Sequence, residues 1–155
     1  YTRDAELLFA FEEKIHVGGQ YIDFTAPTLN DGKEIVLSEQ IKGKIALIDM
    51  WASWCGPCRR SAISMIPVYE EYKDKGFTIV GIAREKMRED AVNAARKDGY
   101  PWLNLLELGD KAKIWKKYGL GNSGGATFLV DTDGTILALS PTADEVKKIL
   151  SEKIK

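Results

Sequence analysis

The chain has 155 residues, of which 45% are hydrophobic and 29% are charged, and its formal net charge is −1. This composition is typical of one globular domain with a core of ordinary size, and it excludes the strong positive field that binds nucleic acid. No run of about 18 apolar residues is present, so we expect a membrane anchor only in a segment absent from this chain. Because the chain begins at Tyr1 without a visible signal peptide, we interpret it as either a trimmed or a mature fragment, whose native targeting segment would then be missing.

The first part of the chain predicts a helix and then a hairpin. Residues 1–16 carry apolar side chains at helical spacing, and a Gly-Gly pair ends the pattern. We assign residues 1–19 to an N-terminal helical extension or to a linker from an upstream segment, and residues 20–155 to the main domain. Residues 21–37 have a strand-like pattern that is interrupted by Asn30-Asp31-Gly32, a sequence typical of β-hairpin turns.

Strands and helices alternate over the rest of the chain. Nearly continuous apolar runs predict two buried strands, at 45–51 and 77–83. The other predicted elements are a helix from the 52–57 turn to about residue 75, helices near 88–98 and 110–118, a strand near 103–107, a hairpin of 127–130 and 135–139, and a closing helix at 142–154. This order predicts an α/β protein with three layers, α/β/α, around a central mixed sheet.

The chain has two cysteines, Cys55 and Cys58, in a C-x-x-C spacing. A disulfide-stapled scaffold would need more cysteines, and a zinc site would need two further ligands, whereas the single histidine, His16, is far away in sequence. The pair follows a buried strand and begins a helix, where Pro57 is well tolerated in the first turn. A helix N-terminus lowers the pKa of a thiol, so we predict Cys55 as an exposed nucleophile and Cys58 as the resolving thiol. The working group would be a redox-active disulfide, without a further cofactor or a metal.

The sequence Trp54-Cys55-Gly56-Pro57-Cys58, between a strand and a helix, resembles the active-site motif of thioredoxin-like proteins. The likeness extends over roughly residues 20–154. Within it the chain is most similar to the bacterial extracytoplasmic thiol–disulfide reductases of the TlpA/ResA type, grouped with the AhpC/TSA superfamily. The segments that carry this similarity are Asn30-Asp31-Gly32-Lys33, Lys42-Gly43-Lys44 and Trp51-Ala52-Ser53-Trp54-Cys55.

The resemblance implies a thioredoxin fold with an N-terminal β-hairpin extension and, in this chain, an added N-terminal helix. It implies an enzyme that reduces protein disulfides through a mixed disulfide. The implied partners are disulfide-containing client proteins and an upstream thiol electron donor, and we expect a monomer. The implied location is extracytoplasmic, periplasmic or membrane-anchored in the full-length protein, with a cytoplasmic thioredoxin role as the alternative.

The resemblance also implies which residues contact the substrate. Trp54, Gly56 and Pro57 would do so beside the thiols, and Gly125 and Ala126 would face them from the chain segment before a later strand. For Trp54 a packing role is the alternative. The other three tryptophans are predicted to be core residues: Trp51, Trp102 and Trp115.

One acidic residue, Asp49, lies inside the predicted buried strand 45–51. An unpaired buried carboxylate is costly, so its pKa should rise. Asp49 stands six residues before Cys55, the position of the buried aspartate of thioredoxin. The resemblance therefore implies that Asp49 accepts a proton from Cys58 when the mixed disulfide resolves. The alternative is an acid on an edge strand that faces solvent.

The chain departs from the family pattern at two positions. Ser61 stands where relatives of this branch commonly have a glutamate, and Gly125 stands where the family has a cis-proline. Because a cis bond before a residue other than proline costs about 2.5–4 kcal/mol, we expect a trans bond before Gly125. Glycine would still allow a substrate backbone to approach closely.

Three other functions stay open. A disulfide isomerase would use the same two cysteines. A peroxidase is suggested by the AhpC/TSA grouping, although the P-x-x-x-T/S-x-x-C pattern is absent because Ala52 stands three residues before Cys55. A non-catalytic module could use the C-x-x-C pair to bind a metal shared between two subunits.

Overall fold

The computed structural model describes residues 15–109, 113–120 and 124–154. The predicted N-terminal helix over residues 1–16 therefore lies almost entirely outside the described residues, and Ile15 and His16 form a bend. The division of the chain at residue 19 stays a prediction. Among the described residues, no helix combines the length and the apolar character that a membrane span requires.

The elements follow the predicted order. In chain order they are β1 (Thr25–Pro27), β2 (Glu34–Val36), α1 (Leu37–Gln40), β3 (Ile45–Trp51), α2 (Gly56–Tyr72) followed by a 3-10 turn (Lys73–Lys75), β4 (Phe77–Glu85), α3 (Arg88–Asp98), β5 (Leu103–Leu108), α4 (Ile114–Lys117), β6 (Ala126–Val130), β7 (Ile136–Leu139) and α5 (Ala143–Lys153). The short helix α1 was not predicted. The two strands of the first hairpin are shorter than the predicted 21–37 stretch, and they pair antiparallel as expected.

The main sheet has the strand order β5-β4-β3-β6-β7. Strands β3, β4 and β5 are parallel, whereas β6 runs antiparallel to both β3 and β7. Helices lie on both sides of this sheet. The predicted α/β class and the mixed central sheet are confirmed.

Strand β3 occupies the centre of the sheet, and all of its residues are buried. Its side chains alternate between two clusters, as the period of a strand requires. Ile45 and Leu47 pack with α2 and α5 on one face, and Ile48 and Met50 pack with α4 and the N-terminal hairpin on the other. A strand that is covered on both faces explains the continuous apolar run in the sequence.

The segment before β1 packs against the end of the sheet. The Gly18 N–H donates to the Ile136 carbonyl at 2.9 Å, and the Ile136 N–H donates to the Gly19 carbonyl at 2.8 Å. Ile15 is buried in the larger hydrophobic cluster. This segment therefore satisfies backbone groups along the outer edge of β7, which would otherwise be an open sheet edge.

Candidate active site

The two cysteines lie where β3 passes through a turn into α2. The turn is closed by the Cys55 N–H, which donates to the Ala52 carbonyl at 3.1 Å. Cys55 then occupies the N-cap of α2, and its Sγ accepts a hydrogen bond from the Cys58 N–H at 3.3 Å. Unpaired N–H groups and the helix dipole stabilise negative charge at this end of the helix. The fold therefore favours a thiolate at Cys55 once the disulfide opens.

Cys55 and Cys58 form a disulfide with their Cα atoms 5.3 Å apart. The prediction that Cys55 is exposed is wrong for this oxidised form, because the residue is only 8% exposed. It packs against the larger hydrophobic cluster, and its bonded partner Cys58 is the more accessible of the two.

A cleft of about 290 Å³ borders the disulfide, between the start of α2 and the start of β6. Of the predicted substrate-binding residues, Pro57, Gly125 and Ala126 line this cleft, whereas Gly56 and Trp54 do not. Sequence reasoning missed Met50, Thr127 and Ser140, which line it as well.

Little in the sequence indicated that these three residues would line the cleft. Thr127 is the register partner of Asp49 across the β3–β6 pair, and that pairing depends on the fold. Ser140 belongs to the turn after β7, and its positive φ of 46° is uncommon for a residue other than glycine. Ser61, which replaces the family's glutamate, also lines the cleft.

Trp54 stands outside the cleft at the protein surface, where it is 59% exposed. Its ring centroid lies 6.4 Å from that of Trp115. Trp51, Trp102 and Trp115 are all buried, which confirms the prediction that these three are core residues.

Asp49 lies at the inner side of the cleft and is 3% exposed. It pairs with Gly81 of β4 and Thr127 of β6, so the alternative of a solvent-facing acid on an edge strand is wrong. Its carboxyl accepts no hydrogen bond from the residues that the structure describes. Burial raises its pKa from 3.8 to about 7. Asp49 and Cys58 line the same cleft, so the geometry is compatible with proton exchange between them.

Gly125 marks a very close approach of two backbones. A Cβ atom at this position would lie 1.8 Å from the Met50 carbonyl oxygen and 3.0 Å from Cys58 Sγ. The absence of a side chain therefore allows the start of β6 to pack against the end of β3 and the disulfide. The peptide bonds of the described residues are trans, as expected for the bond before Gly125.

The described residues include no group of three or more His, Cys, Asp or Glu side chains that could hold a metal ion.

The raised pKa of Asp49 gives a prediction for stability against pH. Between about pH 4 and the folded pKa of about 7, the folded carboxyl keeps a proton that the unfolded chain has lost. The free energy of unfolding should therefore fall as the pH rises through this window, by up to about 4 kcal/mol, and then level off. Asp49→Asn should remove this fall. Urea unfolding of the oxidised wild type and of Asp49→Asn at several pH values measures the free energy of unfolding of each. Contributions of the other titrating groups cancel in the difference between the two proteins. Parallel curves of free energy of unfolding against pH would contradict the prediction.

A matched pair of glycine substitutions tests the close approach at Gly125. Gly125→Ala should destabilise the protein by about 2 kcal/mol or more, because the new methyl group overlaps the Met50 carbonyl. At Gly124 the nearest atom to a new Cβ is Cys55 Sγ, at an ordinary contact distance of 3.8 Å, so Gly124→Ala should have a much smaller effect. Urea unfolding measures both. Equal stability of the two variants would show that the two backbones do not meet as described.

Comparisons with known proteins agree with this geometry. The family model described as "AhpC/TSA family" matches residues 17–139. The thiol-disulfide oxidoreductase ResA of Bacillus thuringiensis (strain Al Hakam) is 30% identical over 129 residues, which cover 83% of this chain and 72% of that protein. The thiol:disulfide interchange protein DsbE of Allochromatium vinosum is 28% identical over 74% of this chain and 60% of that protein.

Solved structures show the same fold. The thioredoxin domain of a thiol-disulfide oxidoreductase from Bacteroides vulgatus has a TM-score of 0.81 and 27% identity, and the match covers 91% of this chain and 99% of that one. A thiol:disulfide interchange protein from Bacteroides sp. has a TM-score of 0.80 and 27% identity, covering 91% of each chain. The resemblance seen in the sequence is therefore confirmed. The chain belongs to the AhpC/TSA family and is a thioredoxin-fold thiol–disulfide oxidoreductase of the TlpA/ResA type.

Proposed function

We propose that this protein reduces disulfides of client proteins through a mixed disulfide at Cys55. The observation that carries the proposal is the position of the Cys55–Cys58 disulfide at the N-terminus of α2, beside a cleft that also contains Asp49. This arrangement provides an activated nucleophile, a resolving thiol and a proton acceptor, and the reaction needs no cofactor beyond the two cysteines.

The reaction begins with the reduced protein. The Cys55 thiolate attacks one sulfur of a client disulfide, a bond forms between Cys55 and that sulfur, and the second client sulfur leaves as a thiolate that takes a proton. At this stage the client is not yet fully reduced, because one of its two sulfur atoms is still bonded to Cys55. The helix terminus favours the thiolate form of Cys55 at the start of this step.

The second step releases the client. Cys58 gives its proton to the Asp49 carboxylate, and the Cys58 thiolate attacks Cys55 Sγ. The bond between Cys55 and the client breaks, the client sulfur leaves and is protonated, and the Cys55–Cys58 disulfide forms. The client has gained two electrons and the enzyme has lost two. A pKa of about 7 suits Asp49 to accept and return this proton near neutral pH.

The direction and the location belong to the same proposal. Gly56-Pro57 between the cysteines favours reduction over oxidation, as in the thioredoxins that the motif resembles. An upstream thiol donor would return the disulfide to the dithiol after each cycle. We place the protein in an extracytoplasmic compartment, because disulfides form and persist there and clients that need free thiols require a reductant. The resemblance to extracytoplasmic reductases supports this location.

Single cysteine variants separate the two thiols. Cys55→Ser should abolish the reduction of insulin disulfides, because the attacking sulfur is lost. Cys58→Ser should accumulate a covalent complex with insulin through Cys55, because the second step cannot occur. Turnover is followed by insulin precipitation with dithiothreitol as donor, and the complex by mass spectrometry with and without reductant. Insulin reduction by Cys55→Ser, or a covalent complex that forms through Cys58 instead, would contradict the assignment.

A further inference from the structure

In the turn that delivers Trp54 and Cys55, Ser53 binds two charged residues of other elements. The Ser53 N–H donates to Glu85 Oε2 at 2.5 Å, and its hydroxyl donates to Glu85 Oε1 at 2.8 Å. The Ser53 carbonyl accepts a hydrogen bond from Arg59 Nη1 at 3.2 Å. Both main-chain polar groups and the side chain of Ser53 are therefore bound by two residues of opposite charge.

Both of these residues are themselves fixed. Glu85 ends strand β4 and is 3% exposed, so its carboxylate cannot swing into solvent. The Arg59 guanidinium makes two hydrogen bonds to the Asp98 carboxylate, of 2.7 and 2.9 Å. Asp98 also accepts the Tyr100 hydroxyl at 2.7 Å. Charge-assisted and bidentate bonds of this kind are short and directional, so the main chain at Ser53 is held from two sides.

Trp54 depends on this turn more than Cys55 does. Its side chain is 59% exposed, and its ring lies at a tilt 6.4 Å from the Trp115 ring. The main chain therefore fixes the point from which the indole projects, and the Trp115 ring lies beside it. Cys55 has separate restraints, since its N–H binds the Ala52 carbonyl and its own carbonyl accepts the Arg59 N–H at 3.1 Å within α2.

We propose that Glu85 is a positioning residue: through Ser53 it positions Trp54 at the surface that a polypeptide client contacts. As a result, the enzyme favours protein disulfides over small ones. The inference rests on the proposed function, because it assigns the way in which that same site selects its substrate. A small disulfide needs only the sulfur atoms and the cleft. A polypeptide also covers the surface around them, where an aromatic side chain with a fixed point of attachment provides contact area at low cost in conformational entropy.

The test compares one protein disulfide with one small disulfide. Single-turnover rates of the fully reduced protein are measured with insulin and with glutathione disulfide. Glu85→Ala should slow the reaction with insulin about tenfold and change the reaction with glutathione disulfide less than about twofold, the size expected for loss of one well-placed aromatic contact. Glu85→Gln should retain most of the insulin rate, because its amide can accept from the Ser53 N–H and donate to the Ser53 hydroxyl oxygen.

A double-mutant cycle shows whether Glu85 acts through Trp54. Trp54→Ala defines how much this side chain contributes to the insulin rate. If Glu85 acts through it, the Glu85→Ala/Trp54→Ala variant should be no slower with insulin than Trp54→Ala alone. Additive losses, or equal losses with both disulfides, would overturn the inference, because they would show that Glu85 supports the fold or Cys55 directly.

Two controls keep the outcomes distinct. Circular dichroism and a thermal midpoint establish that each variant is folded. If Glu85→Ala does not fold, Ser53→Ala removes only the hydroxyl bond and should give a smaller loss that is again selective for insulin; no selectivity there would overturn the inference. A wild type that reduces neither disulfide would contradict the proposed function itself. If the wild type reduces both disulfides and Glu85→Ala reduces insulin at the wild-type rate, only the positioning role is contradicted.

Discussion

Strand β3 is enclosed on both faces and paired on both edges, and the active site is built at the end of this strand. Its carboxyl end leads through one turn into α2, so the position of Cys55 at the helix terminus follows from the position of the strand. The pairing of β3 with β6 brings the residues before β6 to the same end of the sheet. The absence of a side chain at Gly125 then allows the backbone of that segment to reach Met50 and Cys58. A rigid central strand therefore determines the geometry of a reactive disulfide that lies on a turn.

The burial that secures β3 also has a cost. Asp49 is carried by the same strand with no hydrogen-bonding partner among the described residues, and its carboxyl resists ionisation until about neutral pH. In a sheet that served only stability, an apolar residue would suit this position better. A buried polar residue without a hydrogen-bonding partner, placed beside the disulfide, is typical of a functional site. At such sites a fold loses some stability in return for chemistry. Glu85 is a second buried acid close to the site, but it differs because Ser53 satisfies both of its oxygens.

The elements that follow local rules were predictable from the sequence. The apolar run of β3, the turn and Pro57 together indicated a strand–turn–helix unit, and the order of elements along the chain indicated the sheet. The N-terminal position of Cys55 on the helix followed from the same local pattern. Its low exposure did not, because exposure depends on packing against residues that are distant in sequence.

The features that required the structure depend on long-range contacts. Whether Asp49 faced solvent or the interior was decided by the antiparallel pairing of β3 with β6, which no local pattern reports. The bonds between Ser53 and Glu85 join residues 32 positions apart, and nothing in the sequence links the two. Ser140 reaches the cleft only because the β6–β7 hairpin folds back beside it.

The equilibrium reduction potential of the Cys55–Cys58 pair tests the central claim most directly, since it measures whether the pair gives electrons to clients or takes them. Trp54 lies beside Cys55, so the fluorescence of the protein in dithiothreitol or glutathione buffers should follow the fraction oxidised. The account predicts a value near the roughly −270 mV of thioredoxin, which is typical of a reductant. A value between roughly −180 and −120 mV, the range of isomerases and oxidants, would contradict it.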